Sequence, residues 1–166
     1  MKSMSERYSV ITFDMGFTLV QLDPFANMFF RVGQQLGLSL SLPALDQAVD
    51  EVWAEVIKQD GEAVFDPTPE ASRCWWREVN LKTLSAAGVE PAHWDTLDAG
   101  FMTLLNDPAD YTLFPEVRTT LTALRDHGYR LGVISNWDAN LPDLCSHWGI
   151  APYFEFILAS WGVGYA

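Results

Sequence analysis

Two short stretches carry residue types able to do chemistry. The first is Ser9 to Val20, Ser-Val-Ile-Thr-Phe-Asp-Met-Gly-Phe-Thr-Leu-Val. A run rich in β-branched residues delivers one carboxylate, Asp14, and then breaks at Gly16; Thr18 follows four residues after Asp14. A carboxylate at the carboxyl end of a buried strand is costly unless it is paired, solvated by a site or bound to a metal. In an open α/β sheet that end is also where ligands bind. Asp14 is therefore a candidate nucleophile or metal ligand. The second stretch, Arg130 to Asn136, is another apolar run that ends in Ser135 and Asn136. Two parallel strands with a helical crossover would place Asp14 and Ser135 at the same sheet edge. A carboxylate beside Thr18, Ser135 and Asn136 suits displacement at phosphorus or at carbon, because the donors hold an anionic substrate group while Asp14 attacks.

The elements that must position these residues follow from periodicity. Tyr8–Asp14 reads as a buried strand, followed by a turn-rich stretch to Asp23-Pro24. Phe25, Met28, Phe29, Val32 and Leu36 recur at helical spacing, and Gly37 closes that helix. Leu42, Leu45, Val49, Val52, Val56 and Ile57 mark a second helix that ends before Gly61. Trp75, Trp76, Val79 and Leu84 mark a third, ending at Gly88. Trp94, Leu97, Phe101, Leu104 and Leu105 mark a fourth, ending near Asn106-Asp107-Pro108. Four consecutive helices with short polar breaks suggest a small antiparallel bundle. A helix starting near Pro115 carries Val117, Leu121 and Leu124 and stops at Gly128. Tyr129–Ser135 reads as a second buried strand. A helix capped by Asp138 or Asn140 carries Leu141, Leu144, Cys145 and Trp148, and Glu155–Ala159 reads as a third strand. Helices between strands of this kind imply parallel pairing. The expected fold is α/β, a doubly wound parallel sheet of about three strands. Residues 1–22 and 109–166 form its core, and residues 23–108 are a four-helix insertion.

Bulk composition narrows the partners. The chain has 166 residues, 49% of them hydrophobic, with 22 acidic against 10 basic side chains and a net charge of −12. That length allows one domain or a domain with an inserted module. The negative charge disfavours nucleic acid and anionic membranes as partners. A phosphorylated small molecule remains compatible if a cation such as magnesium offsets the charge. Cys74 and Cys145 are far apart, which fits two buried reduced thiols rather than a disulfide framework. The apolar run at the first strand is too short for a signal sequence or a membrane span, so the cytoplasm is the default expectation.

The two stretches together resemble the haloacid dehalogenase-like hydrolase superfamily. Its first motif is apolar residues followed by Asp-x-Asp-x-Thr-(Leu/Val), here Phe13-Asp14-Met15-Gly16-Phe17-Thr18-Leu19. Its second is an apolar strand ending in Ser or Thr, often followed by Asn, here Val133-Ile134-Ser135-Asn136. The resemblance implies a Rossmann-like core with the helical insertion as its cap. It further implies Asp14 as nucleophile, the Gly16 backbone carbonyl as a magnesium ligand with Asp14, and Thr18, Ser135 and Asn136 around the phosphoryl group. The first expectation is a magnesium-dependent phosphatase acting on a small phosphorylated metabolite through an aspartyl-phosphate. Two departures bear on that. The family's phosphatases usually carry a second Asp where this chain has Gly16, whereas its dehalogenases lack that Asp because halide leaves without a proton. The family's third motif, a Lys after the third strand, and its acidic fourth motif are not found, since Lys58 and Lys82 lie in the insertion and the only other lysine is Lys2. The alternatives are therefore a hydrolase of 2-haloacid dehalogenase type, using an aspartyl ester and no metal, or a truncated, non-catalytic remnant. A core cut short would leave one edge of the first strand unpaired, a hazard for self-association.

Blander readings accompany other residues. Trp75 and Trp76 are expected to divide between the bundle interior and its rim. Arg73 and Arg77 are expected on a solvated helix face. His93, His127 and His147 have no ligand spacing.

Overall fold

The computed structural model of the chain describes residues 9–59 and 68–163. It is an α/β protein whose described residues form two compact units. One unit runs to Leu22 and resumes at Tyr111; the other lies between Asp23 and Asp110. In the first unit, β1 (Val10–Phe13), β4 (Arg130–Ser135) and β5 (Phe156–Ala159) form a parallel sheet in the order β1-β4-β5. The register pairs Phe13 with Val133 and Ser135 with Ala159, so all three strands end at one edge. The crossovers carry α5 (Val117–Asp126) and α6 (Leu141–His147), and α7 (Ser160–Val163) follows β5. Buried Leu121, Leu131, Val133, Leu141, Leu144 and Ile150 make the core of this unit. At Gly132 the strands leave no room for a side chain, since a Cβ there would lie 2.2 Å from the Phe156 ring.

Several details differ from the sequence expectations. Tyr8 lies outside the described residues. β1 is not buried: Val10 and Thr12 are exposed and Ile11 and Phe13 half-buried, because among the described residues β1 is an edge strand. A two-stranded antiparallel ribbon, β2 (Val20–Leu22) with β3 (Tyr111–Leu113), occupies what reads as turn and linker in the sequence. Each of its strands is only three residues long, too short for alternation to stand out. Its register sets Leu22 against Tyr111. Asn140 holds the N-cap position of α6 without a capping hydrogen bond from its side chain. Of the cysteines, Cys145 is buried but Cys74 is exposed. Burial pushes the Cys145 thiol up to about 12, so it behaves as an inert apolar group.

The second unit contains α1 (Phe25–Gln35), α2 (Leu42–Gln59), α3 (Pro69–Ala86) and α4 (Trp94–Asn106). The glycine stops hold: Gly37 and Gly88 follow α1 and α3 at φ +71°, where an L side chain is disfavoured. Phe29 stacks on Phe101 with ring centroids 4.4 Å apart, among buried Met28, Leu45, Leu84 and Leu97. Gly100 lets α4 approach α1, since a Cβ there would lie 2.4 Å from Val32 Cγ1. Trp76 packs against the bundle core beside Phe101, whereas Trp75 meets Trp53 and Trp76. Both are half-buried, 5.0 Å apart, and Trp76 likewise meets Trp53.

Arg73 and Arg77 are not simply solvated. Both pair with Asp98, which is fully buried, and Asn80 Nδ2 donates to Asp98 Oδ1 at 2.8 Å. Burial pushes the Asp98 carboxyl up, but hydrogen bonds from Arg73 and Asn80 and both guanidinium charges outweigh it and hold it below its usual range. Arg31 Nη1 donates to Asp23 Oδ2 at 3.1 Å and to Asp110 Oδ1, tying the start of this unit to its end. No described helix is long and apolar enough to cross a membrane.

Candidate active site

Asp14 directly follows β1, and Ser135 is the last residue of β4. Parallel pairing of the two strands brings these residues together across 121 positions of sequence. The Ser135 hydroxyl donates to Asp14 Oδ1 at 2.8 Å, and the Met15 backbone N–H points to Ser135 Oγ at 3.4 Å. Ser135 is 5% exposed while Asp14 is exposed, so a buried donor holds a carboxylate that solvent can reach. Among the described residues no hydrogen bond engages Oδ2 of Asp14, so that oxygen has lone pairs for an electrophile or a cation.

The loop after Asp14 is tightly wound. The Met15 carbonyl accepts from the N–H groups of Leu19 at 2.9 Å and Val20 at 3.1 Å, with a longer contact from Thr18 at 3.4 Å. The Phe17 N–H donates to the Val20 carbonyl at 2.8 Å. Thr18 is exposed, and its side chain makes no hydrogen bond to Asp14 or Ser135. Asn136, at the end of β4, accepts from Ser160 Oγ through Oδ1 at 2.5 Å, which leaves its amide N–H groups as donors. The structure thus joins Asp14 to Ser135 directly, sets Gly16 and Thr18 on the adjoining loop, and turns the Asn136 carbonyl oxygen toward Ser160.

Three neighbours carry no signal in the sequence. Ser160 follows the third expected strand, and the sequence assigns it no role. Trp137 lies against Gly16: its Cζ3 is 3.5 Å from where a Cβ on Gly16 would sit, and its ring meets Tyr111 at 5.7 Å. Phe17 is 76% exposed and holds φ +57°. It is the one non-glycine residue with positive φ among those described. A left-handed conformation costs an L residue roughly 1–2 kcal/mol, and such strain concentrates at functional sites.

No protein-family model matches the chain. A curated relative does: haloacid dehalogenase-like hydrolase domain-containing protein 3 of Xenopus laevis is 26% identical over 164 residues, covering 95% of this chain and 65% of its own length. Among solved structures, the haloacid dehalogenase-type hydrolase YfnB of Bacillus subtilis, bound to magnesium, superposes with a TM-score of 0.68. It is 16% identical and covers 95% of this chain and 66% of its own. The chain is thus similar in sequence to a haloacid dehalogenase-like hydrolase domain-containing protein and shares the fold of haloacid dehalogenase-type hydrolases. A 2-haloacid dehalogenase from Pseudomonas syringae shares this fold at a TM-score of 0.53 and 24% identity, covering 96% of this chain and 66% of its own. The chain spans less than two thirds of the length of the curated relatives it matches.

Proposed function

We propose that the chain carries the nucleophilic half of a phosphohydrolase site that acts on a small phosphorylated metabolite through an aspartyl-phosphate on Asp14. The hydrogen bond from buried Ser135 to Asp14 Oδ1 carries this reading. It fixes the carboxylate's orientation and leaves Oδ2 for in-line attack on phosphorus. As Oδ2 bonds to phosphorus, the bond to the leaving oxygen breaks. The Thr18 hydroxyl and the Asn136 amide are the donors proposed to hold the non-bridging oxygens. Water then attacks the phosphorus of the acyl phosphate and the Asp14 carboxylate is restored.

Magnesium fits this site only in an open form. Among the described residues there is no group of three His, Cys, Asp or Glu side chains able to hold a metal ion. Asp14 and the Gly16 carbonyl supply two oxygens, and magnesium commonly completes its octahedron with water and substrate phosphate. When bound it would screen the negative charge between carboxylate and phosphate. The helical residues 23–108 are proposed as a substrate-selecting cap, and residues 1–22 with 109–166 as the catalytic core.

Trapping tests this reading. Fluoroberyllate with magnesium should form an adduct on Asp14 that mass spectrometry or fluorine resonance detects. Asp14→Asn should abolish it, and Ser135→Ala should weaken it. Gly16, which offers no proton donor, favours a second reading at carbon, in which Asp14 displaces halide from a 2-haloacid. Chloride release that survives a chelator would select that reading. A chain that forms neither adduct nor product would be a non-catalytic relative.

A further inference from the structure

The leaving group of this site is constrained by what surrounds Asp14. Among the described residues, Asp14 is hydrogen-bonded only to the Ser135 hydroxyl, whose proton is directed at Oδ1. Ser135 in turn receives the Met15 N–H. Neither group is free to pass a proton to a departing oxygen, and position 16 has no side chain. Two aromatic residues of the adjoining loops, Phe17 and Trp137, have no part in the reaction as written. The Trp137 ring covers Gly16, and the Phe17 ring is largely in solvent on a left-handed residue that glycine would hold without strain.

We propose that this site takes aryl phosphates, in which the leaving oxygen departs as a stabilised aryl oxide, and that Phe17 contacts the aromatic leaving group. The proposal rests on Asp14 as the nucleophile. Oδ2 of Asp14 forms a bond to phosphorus, and the phosphorus–aryl oxygen bond breaks with its electron pair on the aryl oxygen. That anion delocalises into its ring and takes a proton from bulk water only after release. An alkoxide has no such delocalisation, so an alkyl phosphate reacts poorly here. Phe17 is a specificity-determining residue, retained in an unfavourable conformation because its ring does what glycine cannot.

The experiment uses the 166-residue chain with magnesium. The value of kcat/KM is measured for 4-nitrophenyl, phenyl and ethyl phosphate, and calorimetry compares phenylphosphonate with methylphosphonate. The expected rates fall steeply as the leaving group becomes more basic, by more than the ~10²–10⁴-fold that a general acid supplies. Phenylphosphonate should bind more tightly than methylphosphonate. Phe17→Gly should raise KM for the aryl substrates several-fold with little change in kcat, erase the phosphonate preference and raise Tm; Phe17→Tyr should restore the preference. Equal binding of the two phosphonates, or a Phe17→Gly chain that keeps the aryl preference, overturns the proposal and leaves the nucleophile assignment intact. A shallow leaving-group dependence that steepens in Asp138→Asn also overturns it, by locating a proton donor after β4. If neither phosphonate binds and no adduct forms on Asp14, the nucleophile assignment fails first and the proposal with it.

Discussion

Replacing Gly16 by aspartate would place a carboxyl two residues from Asp14, the proposed nucleophile, at a position that has no side chain to donate a proton. The structure allows the substitution. Gly16 is not among the positive-φ glycines, and a Cβ there would sit 3.5 Å from Trp137 Cζ3 and 3.7 Å from Leu22 Cδ1, both ordinary contacts. The folding cost should therefore stay near the ±0.5 kcal/mol of an unstrained substitution. The kinetic gain should be far larger for some substrates than for others. General acid catalysis contributes ~10²–10⁴ in rate, or about 3–5 kcal/mol of barrier at 1.36 kcal/mol per decade. Gly16→Asp should raise kcat/KM for ethyl phosphate by about that factor and change 4-nitrophenyl phosphate little. Gly16→Ala controls for packing against Trp137 and should do neither. The assay is phosphate release across both substrates, with Tm followed in parallel. Equal gains on both substrates, or no gain with Tm unchanged, would refute the claim that the natural site lacks a proton donor.

Further outcomes can be checked on the same chain. Asp98→Ala removes the buried acceptor shared by Arg73, Arg77 and Asn80, but both guanidinium groups are partly exposed and can be rehydrated, so the cost should be about 1–3 kcal/mol, read as a lower urea midpoint. Asp98 titrates below its ordinary range when folded, so its contribution is fully present above the ordinary carboxylate pKa and fades as pH falls through the folded value. The stability gap between the natural chain and Asp98→Asn should accordingly close in acid, and a gap that widens there would contradict the pairing. Gly100→Ala pushes a methyl into Val32 and should cost about 1–3 kcal/mol by thermal denaturation. Val10, Ile134 and Leu158 are exposed on a parallel sheet, an arrangement normally covered on both faces. The chain should self-associate in sedimentation and become monomeric with Ile134→Lys; a natural chain that stays monomeric at high concentration removes that expectation.

Much of the site was legible because its chemistry sits where hydrophobic runs stop. Asp14 and Ser135 each end a run, and parallel strands meet at one edge, so their contact follows from topology alone. The helices were legible because glycines punctuate them and the apolar spacing is regular. What escaped depends on distant partners. The three-residue strands Val20–Leu22 and Tyr111–Leu113 show little alternation of their own and exist through each other. The partner of Arg73 and Arg77 lies one helix further on, at Asp98, which spacing within α3 cannot reveal. Trp137 and Ser160 look like ordinary residues after a strand until the strand ends converge. The left-handed Phe17 escaped because nothing in its type announces that backbone conformation.

The ribbon at Leu22 and Tyr111 has an architectural consequence. Antiparallel partners set opposite each other are what a tight hairpin turn joins, so the chain between them is topologically optional. Arg31, clasping Asp23 and Asp110, closes the helical segment on its own account. Swapping that segment for another of different shape would leave β1, β4 and β5 with their hydrogen-bond partners, a modularity available to evolution and to protein engineering alike.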